Sequence, residues 1–155
     1  MTRTGSIPAR PDVVWDRLAD FGAIVAWAPN VDHSCLLTEQ TTGAGTARRV
    51  QAGRTTLVET VTEWTPPTGD EPGVLTYTLA GLPKVVRSAT NSWRLIADGD
   101  RTRVELTSTV DAGPRPPQRM IARVVTRVLA RASDAMIAGL SAHIQSIAPT
   151  REGST

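Results

Sequence analysis

Cysteine and histidine are scarce in this chain, and each scarcity removes a class of chemistry. A single cysteine, Cys35, allows no intramolecular disulfide and no thiolate metal site. Two histidines, His33 and His143, are too few for a typical zinc centre, so neither a metal nor a cofactor is expected. No stretch approaches the roughly 18–20 apolar residues that cross a bilayer. Met1 to Arg10 lacks the apolar core of a secretory signal, which makes the cytoplasm the expected location. There is no glycine-rich phosphate loop, no nucleophile elbow and no metal-ligand spacing. An enzyme built on this sequence would have to rely on positioning and on acid–base work by Glu59, Tyr77 or His33.

What is present describes one globular unit. With 155 residues, 40% hydrophobic and 21% charged, the chain can bury a real core. Residues 1–148 read as a single domain, and 149–155 as a flexible polar tail. Charge is uneven. Residues 1–80 hold six basic and nine acidic side chains, and residues 81–155 hold eleven and six. Lys84 is the only lysine. The net charge of +2 is small, so a nucleic-acid partner is not expected.

Periodicity orders the elements. Thr2 to Ile7 reads as a strand stopped by Pro8. Val14, Trp15 and Leu18 recur at helical spacing after Pro11, which suits a first helical turn, and Gly22 breaks that helix. A second short helix is expected around Ala23 to Trp27, before Pro29. Strands follow at 34–40, 46–52, 55–64, 73–80, 86–97 and 102–111, and Asp98-Gly99 marks a hairpin between the last two. Short turns throughout imply an antiparallel meander. From Gln118 to about Ile147 one long helix is expected, about 45 Å in length, with an apolar stripe that includes Val124, Val128, Ala132, Met136 and Leu140.

Four segments carry a family resemblance: Ile7-Pro8-Ala9-Arg10-Pro11-Asp12-Val13-Val14-Trp15, Gly43-Ala44-Gly45-Thr46-Ala47-Arg48, Glu59-Thr60-Val61-Thr62-Glu63-Trp64-Thr65-Pro66-Pro67, and Asp98-Gly99-Asp100-Arg101-Thr102-Arg103-Val104. In that order and spacing the chain resembles the START-like SRPBCC superfamily, which includes polyketide cyclase/dehydrase-like proteins. The resemblance covers nearly the whole chain. It implies an α+β helix-grip fold, in which a curved antiparallel sheet of about seven strands wraps a long C-terminal helix, with two short N-terminal helices. It also implies a cavity between sheet and helix. Such pockets typically measure ~300–1,000 Å³.

Strand alternation nominates the inward residues. Val104, Leu106, Ser108 and Val110 share one face, as do Asn91, Trp93 and Leu95, and Leu75, Tyr77 and Leu79. The face of Val50 carries Arg48. On 55–64 the choice is open: Leu57 and Val61 would carry Glu59 inward, while Val58, Thr60 and Thr62 form a weakly apolar alternative. Arg48 and Glu59 lie on neighbouring strands and either pair inside or sit solvated on the outer face. Trp27 falls on a segment that the resemblance places near the cavity mouth. The candidate ligand-binding set is Trp27, Arg48, Glu59, Tyr77, Asn91, Trp93, Val128 and Ala132, with no residue assigned as catalytic. Arg115, Arg119, Arg123, Arg127 and Arg131 recur every fourth residue, as a stripe for an acidic partner or membrane surface or as a plain solvated face.

Three functions fit these residues. The first is binding of a small apolar or aromatic molecule, polyketide-like or lipid-like, in the internal cavity. The second is a cyclase or dehydratase acting on a polyketide-like substrate. The third is a protein-interaction module using the cavity mouth or the basic helix face. A homodimer is compatible with all three. Under the first, Glu59→Gln is expected to weaken ligand binding while barely altering stability.

Overall fold

The structure is a computed structural model and describes residues 1–148. The expected polar tail at 149–155 lies outside the described residues. In chain order the elements are β1 (Thr2–Ile7), α1 (Pro11–Leu18), a 3-10 segment (Phe21–Ala26), β2 (His33–Leu36), β3 (Ala47–Ala52), β4 (Thr55–Thr65), β5 (Gly73–Ala80), β6 (Ser88–Asp98), β7 (Arg101–Asp111) and α2 (Pro116–Ile147). The seven strands form one antiparallel sheet in the order β1-β7-β6-β5-β4-β3-β2. Every connection from β2 to β7 is therefore a neighbour-to-neighbour hairpin. The sheet is curved and α2 lies across it, so the helix-grip α+β fold implied by the resemblance is the fold of this chain.

Each element has a local cause. Asp98 and Gly99 turn β6 into β7, with Gly99 at φ 63°, a left-handed conformation that glycine adopts without steric cost. Alternation along β5, β6 and β7 puts Leu75, Tyr77, Trp93, Leu95, Val104 and Leu106 at 0% exposure on one face. Burying side chains of this size contributes about 1.5–3 kcal/mol each. Helix α2 begins at Pro116, two residues before the expected start, because proline fits a first turn whose N–H groups have no helical acceptor. Gln118 Oε1 accepts the Arg115 N–H at 3.1 Å and closes that turn.

Four expectations shift. The second short helix is a 3-10 segment that starts two residues earlier, at Phe21. β2 ends at Leu36, because Thr38 Oγ1 donates to Gln40 O and the Gln40 amide donates to Thr42 O and Ala44 O, folding the chain into a turn. β6 begins at Ser88, because the Val86 N–H is committed to the Pro83 carbonyl in a turn. In β4 a bulge between Val61 and Glu63 changes the alternation, so that Val61 and Trp64 both turn to the inner side. Trp64 then meets Trp15 of α1 edge to face, with ring centroids 5.4 Å apart.

Helix α2 is anchored unevenly. Its buried residues are Ala130, Ser133, Met136, Ile137, Leu140 and Ile144, none of them before Ala130. It packs on β1, β7 and α1. Gly5 of β1 makes close approach feasible, because a Cβ there would stand only 2.6 Å from Ile137 Cγ2.

Candidate functional site

Beneath α2 the inner face of the sheet carries a line of polar groups within an apolar core. Register sets them side by side: Arg48 of β3 opposes Glu59 of β4, Tyr77 of β5 opposes Asn91 of β6, and Asn91 opposes Ser108 of β7. Arg48 Nε donates to Glu59 Oε2 at 2.6 Å, and Arg48 Nη1 donates to the Phe21 carbonyl at 2.9 Å. The guanidinium also lies over the Phe21 ring at 3.7 Å and over the Tyr77 ring at 4.9 Å. The guanidinium is thus held inside the core by one carboxylate, one carbonyl and two π faces. The inward orientation of Arg48 and Glu59 is the one observed; the solvated alternative is not.

Tyr77 accepts a hydrogen bond from Trp93 Nε1 at 3.2 Å. Burial raises the Tyr77 phenol above its ordinary value of 10.0, and the nearby Glu59 carboxylate adds to that, while Arg48, Trp93 and Asn91 oppose it. The phenol therefore stays protonated at neutral pH. Ser108 Oγ donates to Asn91 Oδ1 at 2.7 Å. That bond occupies the Asn91 carbonyl oxygen, while the Asn91 NH₂ group, with two N–H donors, also interacts with the Tyr77 hydroxyl and helps to lower its pKa. Glu59 Oε1 is without a donor among the described residues. Trp27 Nε1 is buried with no partner either.

A cavity of about 70 Å³ lies between the sheet and α2. Glu59, Asn91 and Leu79 reach it from the sheet, and Leu129, Ala132 and Met136 from the helix. It is far smaller than the pocket expected, with room for about two water molecules. The large side chains nominated as its lining explain the difference, because they fill the space. Trp27 and Trp93 meet edge to face at 5.9 Å, Phe21 and Tyr77 at 5.5 Å, and Arg48 is wedged between the latter pair. Of the eight candidates, Glu59, Asn91 and Ala132 line the cavity, while Trp27, Arg48, Tyr77 and Trp93 form its buried surround.

Val128 does not belong to the site. It is 64% exposed, and its neighbour Leu129 lines the cavity instead. The apolar residues of α2 run around more than one face, and the helical period places Val128 away from the side fixed by Ser133, Ile137 and Leu140. Lining residues that the reading omitted include Ile24, Asn30, Val31, Leu129 and Ser133. Leu129 falls three residues before Ala132 and four before Ser133, a helical spacing that could have found both. Ser133 Oγ is spent on the Leu129 carbonyl at 2.8 Å.

A larger concavity, about 650 Å³, lies outside the core at the far end of the sheet, between the start of α1 and the β4–β5 and β6–β7 turns. Of its charged groups, Arg10 and Asp12 face each other at 3.6 Å and are mostly exposed, and Asp100 is exposed as well. None of the buried polar line reaches it, so the smaller internal cavity is the better site.

Residues 1–145 match the family described as polyketide cyclase/dehydrase and lipid transport. The chain belongs to this family. No curated protein sequence matches the chain. Among solved structures, the ZhuI aromatase/cyclase from Streptomyces sp. R1128 superposes with a TM-score of 0.77 at 19% identity, covering 99% of this chain and 98% of that one. A STAR-related lipid transfer protein fragment from Xanthomonas axonopodis gives 0.62 at 19% identity, covering 93% and 84%. A solution structure from Thermobifida fusca gives 0.70 at 25% identity, covering 94% and 91%. At this level of identity the similarity speaks for the fold. No helix of the described residues is long and apolar enough to cross a membrane.

Proposed function

We propose that this member of the family binds a small, mainly apolar molecule bearing a hydroxyl group, polyketide-like or lipid-like, between the sheet and α2. One observation supports this reading above others. Two buried groups lining the same cavity, the Glu59 carboxylate and the Asn91 amide, offer hydrogen-bonding atoms of opposite kinds: Glu59 Oε1, and the second N–H of an Asn91 amide that also meets Tyr77. A hydroxyl can donate to Glu59 Oε1 and accept from Asn91 Nδ2 at once. The remaining walls, such as Leu79, Leu129 and Met136, suit a hydrocarbon skeleton. At about 70 Å³ the cavity is a contracted form, and occupation requires the middle of α2, from Leu129 to Met136, to move away from the sheet. Binding is favoured over catalysis because, of the acid–base candidates Glu59, Tyr77 and His33, Glu59 alone lines the cavity, and its carboxylate is engaged by Arg48.

Titration with naphthol, followed by quenching of the tryptophan fluorescence of Trp27 and Trp93, tests the reading. Naphthalene is the matched probe without the hydroxyl. A hydrogen bond to a charged group is worth about 1.5–3 kcal/mol, so naphthol should bind roughly ten- to a hundredfold more tightly. Equal affinity for the two probes would remove Glu59 and Asn91 from ligand recognition, and binding of neither would remove the cavity.

A further inference from the structure

The first half of α2 has a second apolar face that the fold does not use. Met120, Val124 and Val128 recur every fourth residue and are 68%, 56% and 64% exposed. They lie on the side of the helix turned away from the buried Ser133, Ile137 and Leu140. Solvent-facing apolar residues in a continuous row mark a contact surface rather than a folding requirement.

Charge identifies the partner. Between Pro116 and Ser133 the helix carries Arg119, Arg123, Arg127 and Arg131 and no acidic residue. None of these arginines has a carboxylate within 4.0 Å among the described residues. The first acid along the helix, Asp134, faces Arg3 of β1 at 3.5 Å. The loop between β5 and β6 extends the same character, with exposed Val85 beside Lys84 and Arg87. That loop adjoins the start of α2, because the Arg87 N–H donates to the Asp111 carbonyl at 2.7 Å, close to where the helix begins. Like charges on one helix face cost helix stability and gain nothing within the fold. They do gain energy against a surface of negative charge that also accepts apolar side chains. A second copy of the chain presents the same arginines and repels. An acidic protein surface matches the charge but leaves the row of Met120, Val124 and Val128 without a built pocket. An anionic lipid bilayer supplies both, with phosphates for the arginines and acyl chains for the row.

We infer that the first half of α2, with the β5–β6 loop, is a docking face for anionic membrane surfaces, on which the helix lies flat without inserting across. The inference stands apart from the identity of the cavity's ligand.

Vesicle flotation tests it. The full chain is mixed with vesicles of phosphatidylcholine alone, or of phosphatidylcholine with roughly one third phosphatidylglycerol. The protein should float with the phosphatidylglycerol vesicles, stay behind with phosphatidylcholine alone, and be released by added salt. Arg123→Gln with Arg127→Gln should weaken the partition by about 25-fold, from roughly fivefold per arginine. Val124→Ser with Val128→Ser should weaken it as well. These positions are exposed, so circular dichroism and naphthol binding should be unchanged in both variants. Equal partition to both vesicle types, partition insensitive to the arginine pair, or no partition at all would overturn the inference. So would a dimer in sedimentation that Val124→Ser dissociates, because the face would then belong to a second copy.

Discussion

Arg48 and Glu59 meet at 2.6 Å with side chains 2% and 7% exposed, directly opposite each other on neighbouring strands. The pair ties the 3-10 segment to the sheet, because the same guanidinium donates to the Phe21 carbonyl. It also sets the polarity of the cavity floor.

This pairing changes what Glu59→Gln should do. The sequence alone suggested a ligand effect with little change in stability. In the structure the substitution strands a buried arginine, and breaking a buried pair costs roughly 3–5 kcal/mol. Urea denaturation should show a loss near the lower figure, since glutamine keeps one acceptor. Arg48→Met combined with Glu59→Leu should recover much of it. A loss within experimental error for Glu59→Gln alone would mean that the carboxylate does not hold the guanidinium.

Gly139 is the second test. Replacing a helical glycine by alanine ordinarily stabilises by up to about 1 kcal/mol. Here an added Cβ would overlap the Trp27 carbonyl oxygen and come within 2.7 Å of Pro29 Cδ. Gly139→Ala should therefore destabilise by about 1–3 kcal/mol, the usual range for overpacking. Thermal or chemical unfolding gives the sign directly, and a gain in stability would refute the close approach.

Tyr77 predicts a pH dependence on the alkaline side. Its folded pKa lies above 10.0, the unfolded value. Once pH passes 10.0 the unfolded chain loses the phenolic proton while the folded chain keeps it, so stability is full below that point and falls as pH rises above it. Tyr77→Phe should remove this component of the alkaline fall, at the expense of about 1 kcal/mol from the lost Trp93 hydrogen bond. Tyr77 is the only tyrosine in the chain, so near-ultraviolet phenolate absorbance reports it alone. A native-state ionisation step at or below pH 10.0 would contradict the buried environment.

Filling the cavity separates binding from folding. Ala132 lines it and is partly buried, and leucine there adds three carbon groups to a space of about 70 Å³. Ala132→Leu should abolish naphthol binding while leaving the unfolding midpoint equal or higher. Retained binding would place the ligand elsewhere.

Much of this was legible in the residues. Alternation placed Tyr77, Trp93 and Leu106 inward, the Asp98-Gly99 turn fixed the last hairpin, and the short β3–β4 connection set Arg48 opposite Glu59. Three features were not. The bulge after Val61 brought Trp64 inward, which a strict period of two cannot foresee. The apolar residues of α2 form two faces, so periodicity could not say that Val128 turns to solvent while Leu129 turns in. Nor does a list of inward residues reveal how much space they leave. Trp27, Trp93, Tyr77 and Arg48 interlock through rings and hydrogen bonds, and only their mutual packing shows that the expected pocket is nearly full.

The glycine notch at position 139 has one more consequence. By locking the second half of the long helix onto the Trp27–Pro29 segment, it concentrates compliance in the fourteen or so residues after Pro116. Amide protons there should exchange with solvent well before those from Met136 to Ile144. The stretch of chain that is least constrained by the core thus runs up to the cavity edge at Leu129 and faces outward with its arginines.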